Sequence, residues 1–122
     1  MQKKIIKPWG YEIIWAELPR NSICKDGYLG KIIHIETGKR LSLQFHTKKN
    51  ETILVTSGVL YLYTKDQQDN ENLYKLETGE SFNIQAGLIH RFEAIDGAVS
   101  LIEVSTNYPD DVIRIEDDWN RK

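Results

Sequence analysis

The stretch GKRLSLQFHTKKNETILVTSG, Gly38 to Gly58, decides how the rest of the chain is read. From Arg40 to His46 it alternates with the period of two that a β-strand imposes. Arg40, Ser42, Gln44 and His46 fall on one side; Leu41, Leu43 and Phe45 fall on the other. The apolar set is expected to pack between layers, and the polar set to face a cavity or water. A polar turn, TKKN, then leads to Glu51 at the head of another strand. A hairpin of the two strands brings one imidazole, one amide oxygen and one carboxylate together. Those three groups are either a metal site or polar residues on the wet face of a sheet.

The flanking sequence reads as more strands. Tyr11–Leu18, Tyr28–Glu36, Val59–Asp66, Leu73–Glu77, Ser81–Ala86, His90–Ile95 and Val99–Thr106 are short, rich in β-branched and aromatic residues, and bounded by Gly, Asn, Asp or Pro. Strands repeating every ~8–12 residues predict an all-β sandwich or barrel. The polar run Lys65–Asn72 is expected to hinge two similar halves of one domain. The tail, Asp110 to Lys122, is expected to add a final strand and then a short helix or an extended end.

Composition narrows the function classes. The 122 residues fit one domain, 1–122. A net charge of −2 and a pI near 5.9 speak against nucleic acid as the main partner. Cys24 is the single cysteine and cannot form an internal disulfide. No apolar run approaches the ~20 residues of a membrane span, and MQKKIIKPWG lacks a signal-peptide core. The expected location is the cytoplasm, with no membrane partner.

A later stretch, Gly79–Phe92, supplies a glycine turn, a strand, the turn Ala86-Gly87, and then His90. His90 is a candidate fourth ligand beside Gln44, His46 and Glu51. Imidazole, amide oxygen and carboxylate suit a borderline divalent ion such as Zn²⁺, Mn²⁺, Fe²⁺ or Co²⁺. Catalysis at such a centre needs a coordination position left open.

Gly38, Gln44, His46, Glu51 and Gly58, followed by Gly79, Gly87 and His90, resemble the paired motifs of the cupin superfamily, about 38–58 and 79–92. Gln44 stands where common cupins carry a histidine. That choice resembles the phosphomannose isomerases, whose zinc is held by Gln, His, Glu and His. KPWGYE (Lys7–Glu12), GKRLSLQFH, LIEVST (Leu101–Thr106) and DDVIRIEDDWNR (Asp110–Arg121) resemble the type II phosphomannose isomerase domain over nearly the whole chain. Ala86, Thr52-Ile53 and Trp119-Asn120 depart from that family's usual residues, and nucleotide-sugar synthesis is not expected of these 122 residues.

The resemblance implies a cupin jelly-roll β-barrel with a C-terminal tail from 107. It implies zinc on Gln44, His46, Glu51 and His90, and interconversion of mannose 6-phosphate and fructose 6-phosphate through an enediol. The partners implied are a small sugar or sugar phosphate and a second copy of the chain, since many cupins form homodimers. Lys31 matches a lysine that the isomerases carry, placed to meet substrate oxygens. Arg114 matches a tail arginine associated with sugar phosphate, a role suited to a guanidinium. The reaction needs a base, and Glu103, embedded in an apolar strand, is the first candidate, with Glu12 the second. The alternatives are a sugar epimerase, a metal-dependent oxygenase, or a sugar-binding cupin module without catalysis. His34 has the opposite parity to Lys31 and is left out of the ligand set.

Overall fold

The computed structural model describes residues 2–121; Met1 and Lys122, at the ends of the expected domain, lie outside the described residues. Among the described residues eleven strands run in chain order: β1 (Lys3–Lys7), β2 (Gly10–Leu18), β3 (Tyr28–Ile35), β4 (Leu43–Phe45), β5 (Glu51–Ser57), β6 (Leu60–Lys65), β7 (Glu71–Leu76), β8 (Ser81–Ile84), β9 (Ile89–Glu93), β10 (Val99–Ser105) and β11 (Ile113–Glu116). They form a six-stranded sheet, β1-β2-β3-β10-β5-β8, and a five-stranded sheet, β11-β4-β9-β6-β7, with every pairing antiparallel. This is the all-β jelly roll that the sequence implies. No helix among the described residues is long and apolar enough to cross a membrane.

The inward rows of the strands explain where the site lies. Along β10, Val99 and Leu101 are buried apolar residues, and Glu103 continues the same row. On β3 the row runs from Ile35 and Ile33 to Lys31, and on β5 from Val55 and Ile53 to Glu51. Pairing aligns these changes: Leu101 lies opposite Ile33 and Val55, while Glu103 lies opposite Lys31 and Ile53. In the other sheet, Leu62 pairs with Phe92 and Thr64 with His90. One end of the interior is therefore an apolar core with residues from both sheets, including Trp9, Ile53, Leu60, Leu62, Phe92 and Leu101. The other end is polar. Trp9, in the turn before β2, is buried in the core and reaches the boundary between the two.

Three local expectations differ from the structure. The segment Lys3–Lys7 is a strand, paired to β2 from Lys3↔Ile14 to Lys7↔Gly10, although only two of its residues are apolar. The run Lys65–Asn72 hinges no halves. It carries a hairpin turn between β6 and β7, which pair from Leu60↔Leu76 to Lys65↔Glu71. Asp66 sets that turn by accepting hydrogen bonds from the amides of Gln68 and Asn70, each at 2.9 Å, an Asx-turn. The expected strand Arg40–His46 shrinks to Leu43–Phe45 plus a single bridge from Arg40 to Glu93. Its polar side turns into the protein: Ser42 and His46 are buried, while Leu43 and Phe45 are half-buried and lie outside the core cluster.

The motif glycines are fixed by backbone geometry. Gly58 has φ +79°, and a Cβ there would sit 2.3 Å from the Ala98 carbonyl oxygen, so the β5–β6 turn admits no side chain without moving. Gly87, at φ +92°, donates its amide to the His46 carbonyl at 2.7 Å and so ties the two motifs together.

Candidate metal centre

His46, Glu51 and His90 are buried, and their ligand atoms lie within 4.8 Å of one another. Three different elements deliver them. His46 follows β4, Glu51 opens β5, and His90 sits in β9 directly opposite Gln44 of β4. His46 Nε2 is 2.9 Å from Glu51 Oε2. The rings of His46 and His90 are 5.1 Å apart, centroid to centroid.

The outer contacts determine which nitrogens face inward. His46 Nδ1 lies 2.6 Å from the carbonyl oxygen of Asp111, and His90 Nδ1 lies 2.9 Å from that of Leu88. A carbonyl can only accept, so both Nδ1 atoms carry the proton and both Nε2 atoms present lone pairs in the neutral ring. Burial lowers the His90 pKa, which keeps that ring neutral. The His46 lone pair then faces an anionic oxygen at 2.9 Å, an arrangement that calls for a cation between them. Backbone carbonyls orienting ligating histidines are the usual support of such centres. Gln44 completes the group: its Nε2 donates to Ser42 Oγ at 2.8 Å, which leaves Oε1 as the acceptor available for coordination. The donor set therefore fits a divalent ion.

The four candidate ligands line a cavity of about 130 Å³, together with Lys31, Glu103 and Arg114. Glu12 lines it as well, so all eight residues named as site candidates from the sequence border one cavity. Lys31 is paired with Glu12 at 3.2 Å, and Glu12 lies 4.0 Å from Lys7. Glu103 is 3% exposed and its Oε2 is 2.9 Å from Lys49 Nζ. Arg40, which shares sequence parity with Gln44, leaves the cavity and makes a two-point ion pair with Asp118 at 2.7 and 2.9 Å. His34 lies on the other face of β3, stacked on Tyr11 and 2.8 Å from Ser100 Oγ.

Two residues were not visible as site members in the sequence. Lys49, in the TKKN turn, is 6% exposed and lies 3.6 Å from Glu51 Oε2 as well as 2.9 Å from Glu103. Burial works against its charge, but the two carboxylates outweigh burial and raise its pKa. Asp111 accepts hydrogen bonds from the amides of Thr47, Lys48 and Lys49 at 3.0, 2.6 and 2.9 Å and from Thr47 Oγ1 at 2.8 Å. Burial works against its charge too, yet these bonds hold its carboxyl well below the usual carboxylate range. One residue thereby shapes the 47–49 turn with its side chain and orients His46 with its carbonyl.

Burial alone would push the Glu51 carboxyl up. In the metal-free protein at acid pH, the charge of Lys49 outweighs it, together with the hydrogen bond and charge that the two imidazoles supply in their protonated form, and the pKa comes to about 2. A pKa lowered on folding adds stability above the unfolded value, and that stability is lost as the pH falls through the folded value. In metal-free protein the urea midpoint is expected to fall as the pH drops from about 4.5 to about 2. Glu51→Gln is expected to flatten that part of the profile; an unchanged profile would remove Glu51 from the account.

The fold is that of the cupins. The chain belongs to the family described as Mannose-6-phosphate isomerase C-terminal, which matches residues 1–117. No curated protein matches the sequence. Among solved structures, the capsular polysaccharide assembling protein CapF from Staphylococcus aureus is similar at a TM-score of 0.78 and 18% identity, over 95% of this chain and 32% of that one. Oxalate decarboxylase from Bacillus subtilis, studied for its Mn(II) centres, is similar at 0.77 and 16%, over 93% of this chain and 30% of that one. Oxalate decarboxylase from Lactobacillus farciminis, solved as a formate complex, gives 0.77 and 15%, over 93% and 34%. This chain spans about a third of the length of those proteins, and at such identities the likeness establishes the fold alone.

Proposed function

We propose that the chain is a metal-dependent sugar-phosphate isomerase that interconverts mannose 6-phosphate and fructose 6-phosphate. One observation carries the reading. The Gln44, His46, Glu51 and His90 cluster opens on a cavity whose charged lining is five cationic side chains, Lys7, Lys31, Lys49, Arg114 and Arg121, against four carboxylates. Arg121 is held by Asp117 at 2.9 Å, so the lining is balanced in charge; a divalent ion on the cluster would tip it positive, which suits an anionic substrate. Membership of the family matching residues 1–117 points the same way.

Gln44, His46, Glu51 and His90 would hold a divalent ion, proposed as Zn²⁺, which would supply an electrophile for developing negative charge. The chain's own residues do the rest. Lys31 and Arg114 receive substrate oxygens and phosphate. Glu103, buried against the cavity, moves the proton between C1 and C2. The test is conversion of mannose 6-phosphate by Zn²⁺-loaded protein, expected to stop on chelation and return with metal. A homogeneous preparation holding one ion per chain that turns over no hexose phosphate would refute the assignment.

A second reading, a sugar-binding module without catalysis, draws on one observation. Both candidate bases are ion-paired, Glu12 to Lys31 and Glu103 to Lys49. Saturable binding of mannose 6-phosphate with no turnover would favour it.

A further inference from the structure

Lys49 holds an unusual place. It is a buried ammonium between two buried carboxylates, 3.6 Å from Glu51 Oε2 and 2.9 Å from Glu103 Oε2. Glu51 and Glu103 are on paired strands. Glu103 lies opposite Ile53 and Ser105 opposite Glu51, so the two carboxylates are diagonal neighbours on the inward face, with Cα atoms ~7–8 Å apart. Long side chains reach each other across that diagonal. Glu103 Oε2 accepts no hydrogen bond of good geometry among the described residues, and the Lys49 ammonium stands 2.9 Å from it as an ion pair.

A carboxylate so placed, with so little else to hold it, would be drawn to any divalent ion bound by Glu51. Lys49 supplies the competing positive charge. The turn carrying it is fixed in turn by Asp111, which takes the amides of Thr47, Lys48 and Lys49.

We propose that Lys49 is a positioning residue that keeps Glu103 out of the coordination shell. The shell then stays at Gln44, His46, Glu51 and His90 with room for a substrate oxygen, and Glu103, paired to Lys49 rather than to the ion, is left to exchange protons with the substrate. This rests on reading the cluster as a metal centre. It assigns to a lysine of an apparently ordinary polar turn the task of limiting how many carboxylates the ion receives. The ammonium also lowers the site's affinity for divalent cations, because like charges beside Glu51 repel.

The test uses the full chain and Co²⁺ as the probe, read by chelator competition and by the visible absorption of the bound ion. Lys49→Met is expected to bind Co²⁺ at least tenfold more tightly than the parent. Its spectrum is expected to differ and to stop responding to mannose 6-phosphate, because Glu103 occupies the open position. Glu103→Gln is expected to act in the opposite direction, weakening Co²⁺ binding several-fold as the ammonium turns wholly onto Glu51. The double variant Lys49→Met/Glu103→Gln should restore the parent spectrum and its response to mannose 6-phosphate. Lys49→Arg should keep both.

A merely structural lysine would instead give weaker or unchanged Co²⁺ binding in Lys49→Met and no recovery in the double variant; either result overturns the proposal. If Lys49→Met does not fold, Glu103→Gln and Lys49→Arg decide it, and unchanged affinity in Glu103→Gln overturns it. Failure of the parent chain to bind Co²⁺ removes the metal centre itself, which separates that failure from one confined to Lys49.

Discussion

His90→Ala is expected to lower affinity for Zn²⁺ or Co²⁺ by on the order of 100-fold or more, since losing even a contact behind a ligand costs ~10–100-fold. His90 presents Nε2 to the centre because its Nδ1 is held by the Leu88 carbonyl at 2.9 Å. It stands across from Gln44 in the sheet, so its loss removes one ligand and the neighbour that faces another. The ring also touches Phe92, at 5.7 Å between centroids, and some packing energy goes with it. A denaturation profile measured without metal separates the two effects. Affinity should fall far more than the metal-free stability does. Equal metal affinity in the two chains would place the ion elsewhere.

The largest stability effect is expected at the other end of the interior. Leu101 is fully buried and lies between Ile33 on one neighbouring strand and Val55 on the other. Leu101→Ala is expected to cost about 2–5 kcal/mol, from lost transfer energy plus the cavity left behind. That is a large part of the ~5–15 kcal/mol by which domains of this size are stable. Urea unfolding of the metal-free chain checks it. A loss under about 1 kcal/mol would mean that the two sheets close over the gap, and that the core there is softer than its burial indicates.

Strand identity was legible where side chains alternate between two neighbours that agree. Tyr28–Ile35 and Val99–Ser105 read clearly because alternate residues face inward and the rows are apolar at Ile33, Ile35, Val99 and Leu101. Lys3–Lys7 did not, because three lysines hide a pairing made by its backbone with β2. The alternation of Arg40–His46 correctly grouped Ser42, Gln44 and His46, but not the direction they face. A period of two gives relative sides; which side is interior depends on the sheet packed against it. Arg40 belonged to the same parity yet leaves, because a backbone that is strand only from Leu43 to Phe45 does not carry the alternation back to it.

The ligand cluster was legible through spacing and resemblance, and its surroundings were not. Lys49 reads as solvated in the sequence because both carboxylates that bury it come from elsewhere, Glu51 by a turn and Glu103 from 54 residues on. Asp111 lies 65 residues from the histidine that its carbonyl orients. Contacts of that range leave no local signature, so no periodicity could have shown them.

The three-residue strand β4, which carries Gln44, is bordered by β9 on one side and by β11 on the other. Its last neighbour is made about seventy residues later. At the ~5–20 residues per second of protein synthesis, β4 waits roughly 3 to 14 s with that border open. In a growing chain the pocket therefore cannot take its final shape until the tail has emerged. Any ion that enters earlier meets a half-built set of donors.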